Sequence, residues 1–140
     1  MTEYLHRHIP LTAAMDLRVT KLAHGQVEIT APLAPNLNHR GTVFGGSIAT
    51  LAIVAGWTAL SQALRERGVS ARLVIQRSEC DFVAPAGAEF CAVCELPAAA
   101  SARFFTALGK RGRARITLAS TLRAGAATVA RAQGTYVAIT

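Results

Sequence analysis

The run Asn38-His39-Arg40-Gly41-Thr42-Val43-Phe44-Gly45-Gly46-Ser47 sets a polar loop immediately before a long segment, Val43 to Leu64, that holds no charged residue. If the segment is a helix, Gly45 and Gly46 fall in its first turn. Backbone N–H groups there have no partner inside the helix, and the dipole presents its positive end. Glycine has no side chain to cover these donors. Such donors can bind a carbonyl oxygen and stabilise the oxyanion formed on attack, at about 3–4 kcal/mol per donor in enzymes that use one. The plainer reading is that the glycine pair only lets the helix approach a strand closely.

Other chemistry-bearing residues carry weaker signals. Cys91-Ala92-Val93-Cys94 lies in a strand-like stretch, where residues three apart face opposite sides. Core cysteines are expected there, and no metal site. His6-Arg7-His8 reads as part of a loose N-terminal tail spanning residues 1–10. Gly45-Gly46-Ser47 lacks the second glycine of a nucleophile elbow, and neither a phosphate loop nor a dinucleotide fingerprint occurs. Lys110, Arg111 and Arg113 belong to the densest basic run, suited to phosphates or an acidic protein surface. Trp57 reads as core or dimer packing.

The elements that position these residues follow from periodicity. Asp16 to Leu22 and Gln26 to Leu33 alternate and read as a hairpin. Pro32 and Pro35 end it, and Asn36 to Gly41 is a polar loop. The helix begins near Gly45 or Gly46 and stops at Arg65-Glu66-Arg67-Gly68, with Arg at the negative end of the dipole and Gly as terminator. Strands are expected over Ala71 to Val83, Glu89 to Leu96, Arg113 to Arg123 and Thr128 to Ile139. Pro97 to Ser101 reads as a loop, Ala102 to Leu108 as a short helical turn, and Gly109 to Gly112 as a basic turn. Four strands joined by short turns imply an antiparallel sheet. One sheet covers only part of a helix apolar on all sides, so a dimer is expected.

The 140 residues suggest one domain, and the net charge of +7 favours an anionic partner. A nucleic-acid module is a remote alternative, lacking interleaved aromatics and any recognised motif. Three cysteines and no apolar leader suggest a reducing, cytoplasmic compartment. The uncharged segment is rich in Ala, Gly, Ser and Thr, which argues for a buried helix and against a membrane span.

The run Asn-x-x-Gly-Thr-x-Phe-Gly-Gly before a long apolar helix resembles hotdog-fold thioesterases, closest to the thioesterase domain of the YiiD C-terminal type. Gly112-Arg113-Ala114-Arg115 also resembles that family. The resemblance implies an α+β hotdog fold, in which a curved antiparallel sheet wraps one long central helix. It implies homodimers, which can pair into tetramers, with two active sites at the interface. It implies hydrolysis of an acyl thioester of coenzyme A or acyl carrier protein. Coenzyme A enters as part of the substrate, and no separate cofactor is expected. The Gly45 N–H would polarise the carbonyl, and Asn38 would orient water or substrate. Gly41, Thr42, Val43, Phe44, Gly46, Ser47 and Ile48 would line the substrate. Lys110, Arg111 and Arg113 would meet phosphate or carrier. One departure stands out. Relatives often carry Asp or Glu about two turns into the helix, and Ile53 stands there. The candidate base is then His39, because imidazole exchanges protons near neutral pH. Glu79, Asp81 and Ser78 are weaker substitutes, and a non-catalytic acyl-thioester binder is the main rival.

Overall fold

The computed structural model describes residues 1–140. Its central element is helix α3, Gly45–Glu66, 22 residues long. Leu51, Ala55 and Leu60 on it are wholly buried. A helix apolar on most sides needs cover on most sides. Strands β1 (Arg18–Ala23), β2 (Gln26–Ala31), β3 (Arg72–Phe82), β4 (Phe90–Glu95), β5 (Arg113–Ala124) and β6 (Ala127–Ile139) supply it. They form one antiparallel sheet in the order β1-β2-β4-β5-β6-β3. Alternation sets the inner face. Val27, Ile29 and Ala31 of β2, Phe90, Ala92 and Cys94 of β4, and Ile116, Leu118 and Leu122 of β5 are buried.

Three expectations need correction. The first ten residues are not loose. They form α1 (Thr2–His8) and the start of α2 (Pro10–Ala14). Leu5 is fully buried, His6 Nε2 lies 2.6 Å from the Leu17 carbonyl, and Val19 N–H donates to Thr2 Oγ1 at 3.0 Å. Helices this short are marginal alone, so packing holds them rather than propensity. Second, the stretch read as loop, short turn and basic turn is one 14-residue helix, α4, Ala98–Arg111. Three successive alanines start it well. Gly109 lies inside it, and Gly112, at φ +67, ends it in the left-handed cap that glycine favours. Third, β4, β5 and β6 are neighbours in sequence order but β3 does not pair with β4. The chain leaves β3 at one edge of the sheet and crosses to β4, between β2 and β5.

That crossover shapes the site. Val83 and Ala84 N–H both donate to the Val129 carbonyl, which fixes the exit from β3. Ala86, buried in the crossover, accepts from Val43 N–H at 2.8 Å. The segment before α3 is thereby tied to the segment after β3. Asn36, placed by sequence at the start of a polar loop, ends a one-turn 3-10 helix (Ala34–Asn36) and is buried. Its amide donates to the carbonyls of Met15 and Pro32.

Candidate functional site

Phe44 is the N-cap of α3, in extended conformation (φ −59, ψ 132), and offers no side-chain cap. Its carbonyl takes the N–H groups of Ser47 and Ile48 at 3.0 and 3.2 Å. The N–H groups of Gly45 and Gly46 have no acceptor. The first turn thus keeps two donors open at the positive end of a six-turn dipole.

The nearest neighbours of the glycine pair are side chains, one of them from the end of β3. A Cβ on Gly45 would meet only the Phe82 ring, at 3.4 Å, and a Cβ on Gly46 would meet only the Phe44 ring, at 2.2 Å. Neither neighbour is strand backbone. Close approach occurs about three turns later, where a Cβ on Gly56 would fall 2.3 Å from Tyr136 Oη. The rings of Phe44 and Phe82, each 56% exposed, therefore flank an open pair of donors. Neither ring is a strong acceptor, so the donors stay unsatisfied. Phe82 and Val83 were missed by sequence reasoning. Their signal was an apolar pair following the mostly polar run Gln76 to Asp81, just before Pro85.

The loop residues divide by role. Asn38 Oδ1 accepts from Arg40 N–H and Thr42 N–H at 2.8 and 3.1 Å. Its Nδ2 donates to Thr42 Oγ1 at 2.7 Å and to the Val43 carbonyl at 3.4 Å. Those four bonds, the 3.4 Å one weakly, occupy the side-chain amide and brace the loop. Gly41 takes φ +78 at the loop tip. His39 is exposed there and makes no hydrogen bond in the structure. Val43 and Ile48 are buried at 4% and 3%, so they pack beneath the site rather than line it. Gly46, Ser47 and Phe44 do line an open groove beside the first turn. We expect Asn38→Ala to slacken the loop, lowering stability by about 1–3 kcal/mol together with any turnover. Thermal unfolding run beside an activity assay checks this, and lost turnover at unchanged Tm would instead put Asn38 in contact with substrate.

No carboxylate lines the groove beside the first turn. Ile53 accepts the Tyr136 O–H on its carbonyl at 2.7 Å and borders a crevice shared with Ser78, Ser120 and Gln133. Burial pushes the Tyr136 phenol well above its usual range, so it remains a donor. Alternation along β3 puts Ser78, Cys80 and Phe82 on the helix side and Glu79 and Asp81 on the other. Glu79 pairs with Arg77. Burial, reinforced by Asp81, raises the Cys80 thiol, which keeps it from acting as a thiolate. Cys94 is buried in the core and Cys91 is half-buried on the opposite face of β4.

The basic residues gather elsewhere. Arg111, Arg113 and Arg115 border a concavity of about 500 Å³ with Gln76, Ala107, Ala114 and Val137. Lys110 is exposed outside it. The two ion pairs of the chain, Arg18–Asp16 and Arg77–Glu79, use none of these arginines. The concavity lies near the start of β3, because Arg113 and Arg72 both pair with Ile139. The Trp57 indole donates to the Leu73 carbonyl at 3.3 Å, which sets that end of β3 beside the middle of α3. Gly45 to Trp57 spans about 18 Å of helix.

A long helix enclosed by a six-stranded antiparallel sheet, with a bare glycine first turn, defines a hotdog-fold protein. The chain belongs to the family described as "Putative thioesterase (yiiD_Cterm)", whose model matches residues 1–140. Solved structures share the fold. A protein of unknown function from Chlorobaculum tepidum TLS superposes with a TM-score of 0.92 at 24% identity, over 99% of this chain and 91% of that one. A protein described as a putative thioesterase from Shewanella oneidensis gives 0.89 at 24% identity, over 99% and 94%. The Pseudomonas aeruginosa protein PA5026, described as of unknown function and a probable thioesterase, gives 0.86 at 24%, over 99% and 93%.

Proposed function

We propose that the protein hydrolyses acyl thioesters, with the carbonyl oxygen held by the N–H groups of Gly45 and Gly46. The observation that carries this reading is the pair of unsatisfied donors at the start of α3, flanked by two exposed aromatic rings. Water adds to the carbonyl carbon, and the oxygen takes the negative charge against the two donors. Collapse of the adduct breaks the carbon–sulfur bond, and the thiolate takes up the proton that water gave. His39, exposed and unbonded in the loop tied to this turn, is our candidate carrier for that proton.

The carrier group is coenzyme A or acyl carrier protein, met by Arg111, Arg113 and Lys110. A dimer brings these residues toward Gly45, because Arg113 lies beside the Arg72 end of β3 and Gly45 beside the Phe82 end. β3 is an edge strand of 11 residues with exposed Val74, Ile75 and Phe82, followed by exposed Val83. Such an edge invites a partner, and a two-fold axis pairs it with its own copy antiparallel. That pairing sets the Arg72 end of one strand against the Phe82 end of the other. The basic concavity of one copy then approaches the helix N-terminus of the second. Ile53 favours a second reading, in which the same site binds acyl thioesters without turnover.

Thiol release across acyl-coenzyme A substrates of different chain length, beside the matching acyl-pantetheine thioesters, tests both readings. Hydrolysis with a lower KM for coenzyme A is expected. Binding without thiol release on every substrate would establish the second reading, and no binding at all would remove both.

A further inference from the structure

Trp57 is the only tryptophan of the chain. It is half-buried on α3, in a stripe with Ala49, Ile53 and Ser61 that the sheet does not fully cover. Two contacts fix its ring. Its indole N–H donates to the Leu73 carbonyl at the start of β3, and the ring stacks on Tyr4 of α1, with centroids 6.4 Å apart and planes 13° apart. The Arg65 guanidinium lies 4.6 Å from the Tyr4 ring centre and holds that ring in turn. The two edges of the sheet differ. On β1 the Val19 N–H is taken by Thr2 Oγ1, and the register breaks between Val19 and Lys21, which closes that edge to a further strand. β3 has no such cover. Leu73 and Phe82 lie nine residues apart on it and would face opposite sides of an unbroken strand. The register shift between Ile75 and Arg77 puts both on the helix side, opposite Ala138 and Ala130 of β6. A two-fold pairing of β3 edges can therefore oppose Leu73 of one copy to Phe82 of the other with like faces together.

We propose that Trp57 contacts the substrate in trans, so that each site joins the Gly45 and Gly46 donors of one copy to the partner's Trp57; the proposal rests on the thioester reading above. Gly45 lies against the Phe82 ring, and Trp57 is bonded at Leu73. Opposing Leu73 to Phe82 across the two-fold axis sets the Trp57 ring of one copy beside Phe82 and Gly45 of the other. Within one copy, twelve residues of helix, about 18 Å, separate Trp57 from Gly45. A thioester held at Gly45 therefore meets the partner's tryptophan and not its own. The indole N–H is already bonded, so Trp57 meets the thioester with apolar ring and presses it against the donors. Tyr4 is a positioning residue, because it reaches the substrate only through Trp57. This gives α1 a part in the site of the opposite copy.

The test is complementation in a mixed dimer. Trp57→Ala should lower kcat/KM about tenfold through the lost ring contact, and Gly45→Pro removes a donor. The two variants are co-expressed under different affinity tags, and the dimer carrying both tags is purified. One of its two sites then joins an intact Gly45 to an intact Trp57, and it should show about half of wild-type activity. If Trp57 acts on its own subunit's site, both sites are damaged and no activity returns, which overturns the proposal while the thioester reading stands. Size-exclusion chromatography and Tm confirm that each variant is a folded dimer, and Trp57→Leu replaces Trp57→Ala where the latter fails to fold. Tyr4→Ala should lower kcat/KM about threefold, and Tyr4→Phe, which keeps the stacked ring, should restore it. Trp57 emission gives a second readout. An acyl-coenzyme A analogue with methylene in place of sulfur should change that emission on binding, and calorimetric binding with unchanged emission would also overturn the contact. If wild type neither hydrolyses a thioester nor binds the analogue, the thioester reading fails and takes the proposal with it.

Discussion

Gly45→Pro is expected to lower kcat on a good acyl thioester by about 10²–10³-fold, the cost of one oxyanion donor, while Tm moves by only a few degrees. Proline removes the N–H outright, which no other substitution does. The position tolerates it for three reasons. Gly45 is the first helical residue, where proline is favoured and the missing hydrogen bond was never made. Phe44 already has ψ 132, in the extended region that a residue before proline must occupy. An added Cβ meets the Phe82 ring at 3.4 Å, an ordinary contact. Gly45→Ala serves as the control, because it adds the same Cβ and keeps the donor. Steady-state kinetics of the two variants, with thermal melts, separate lost catalysis from lost fold. Equal activity in Gly45→Pro and Gly45→Ala would remove the donor from the mechanism.

The second large effect is on stability. Tyr136 is 1% exposed, and its ring fits between Gly56 of α3 and Gly134 of its own strand. A methyl on Gly56 would sit 2.3 Å from Oη and 2.7 Å from Cζ, inside the core. Tyr136 would have to move, losing its bond to the Ile53 carbonyl. Overpacking costs about 1–3 kcal/mol, and a buried carbonyl left without its donor costs a further 1–3 kcal/mol. Gly56→Ala should therefore destabilise by about 3 kcal/mol, a fall in Tm of roughly 10 °C for a domain of this size. Adding Tyr136→Phe should recover part of that loss, because the closest clash and the orphaned hydroxyl disappear together. Denaturant titration of the single and double variants measures it. A Gly56→Ala protein as stable as wild type would show that helix and sheet are not in close contact there.

These two glycines explain much of what the sequence made legible. The long uncharged run marked a buried helix, and the bare pair at its start marked open donors. Both are local features, carried by residue type and spacing. The β2 alternation and the buried side of β5 were legible for the same reason. Gly56 carried no such mark. Its role depends on Tyr136, 80 residues away, which only the folded sheet brings to it. The order of strands was hidden for a related reason. Nothing near Arg72–Phe82 says that it pairs with β6 rather than with β4. The N-terminal helices were read as a tail because they are five and seven residues long and draw their stability from Leu5 and from bonds to β1 and the residue before it. Helix α4 was cut short because Pro97 and Ser101 read as loop residues, whereas Pro97 is its N-cap. Asn38 was recognisable as special but not as a loop brace, since the four groups that occupy its amide come from the fold of its own turn.

The most direct measurement is the carbonyl stretch of a bound substrate mimic. An acyl-coenzyme A ketone, with methylene in place of sulfur and an isotope label in the carbonyl, binds without reacting. Infrared difference spectra of wild type should show the labelled band at lower frequency than in water, as two aligned donors polarise the bond, with part of that shift lost in Gly45→Pro. A band at the frequency of an apolar solvent, or the same band in both proteins, would contradict the placement of the carbonyl at the start of α3.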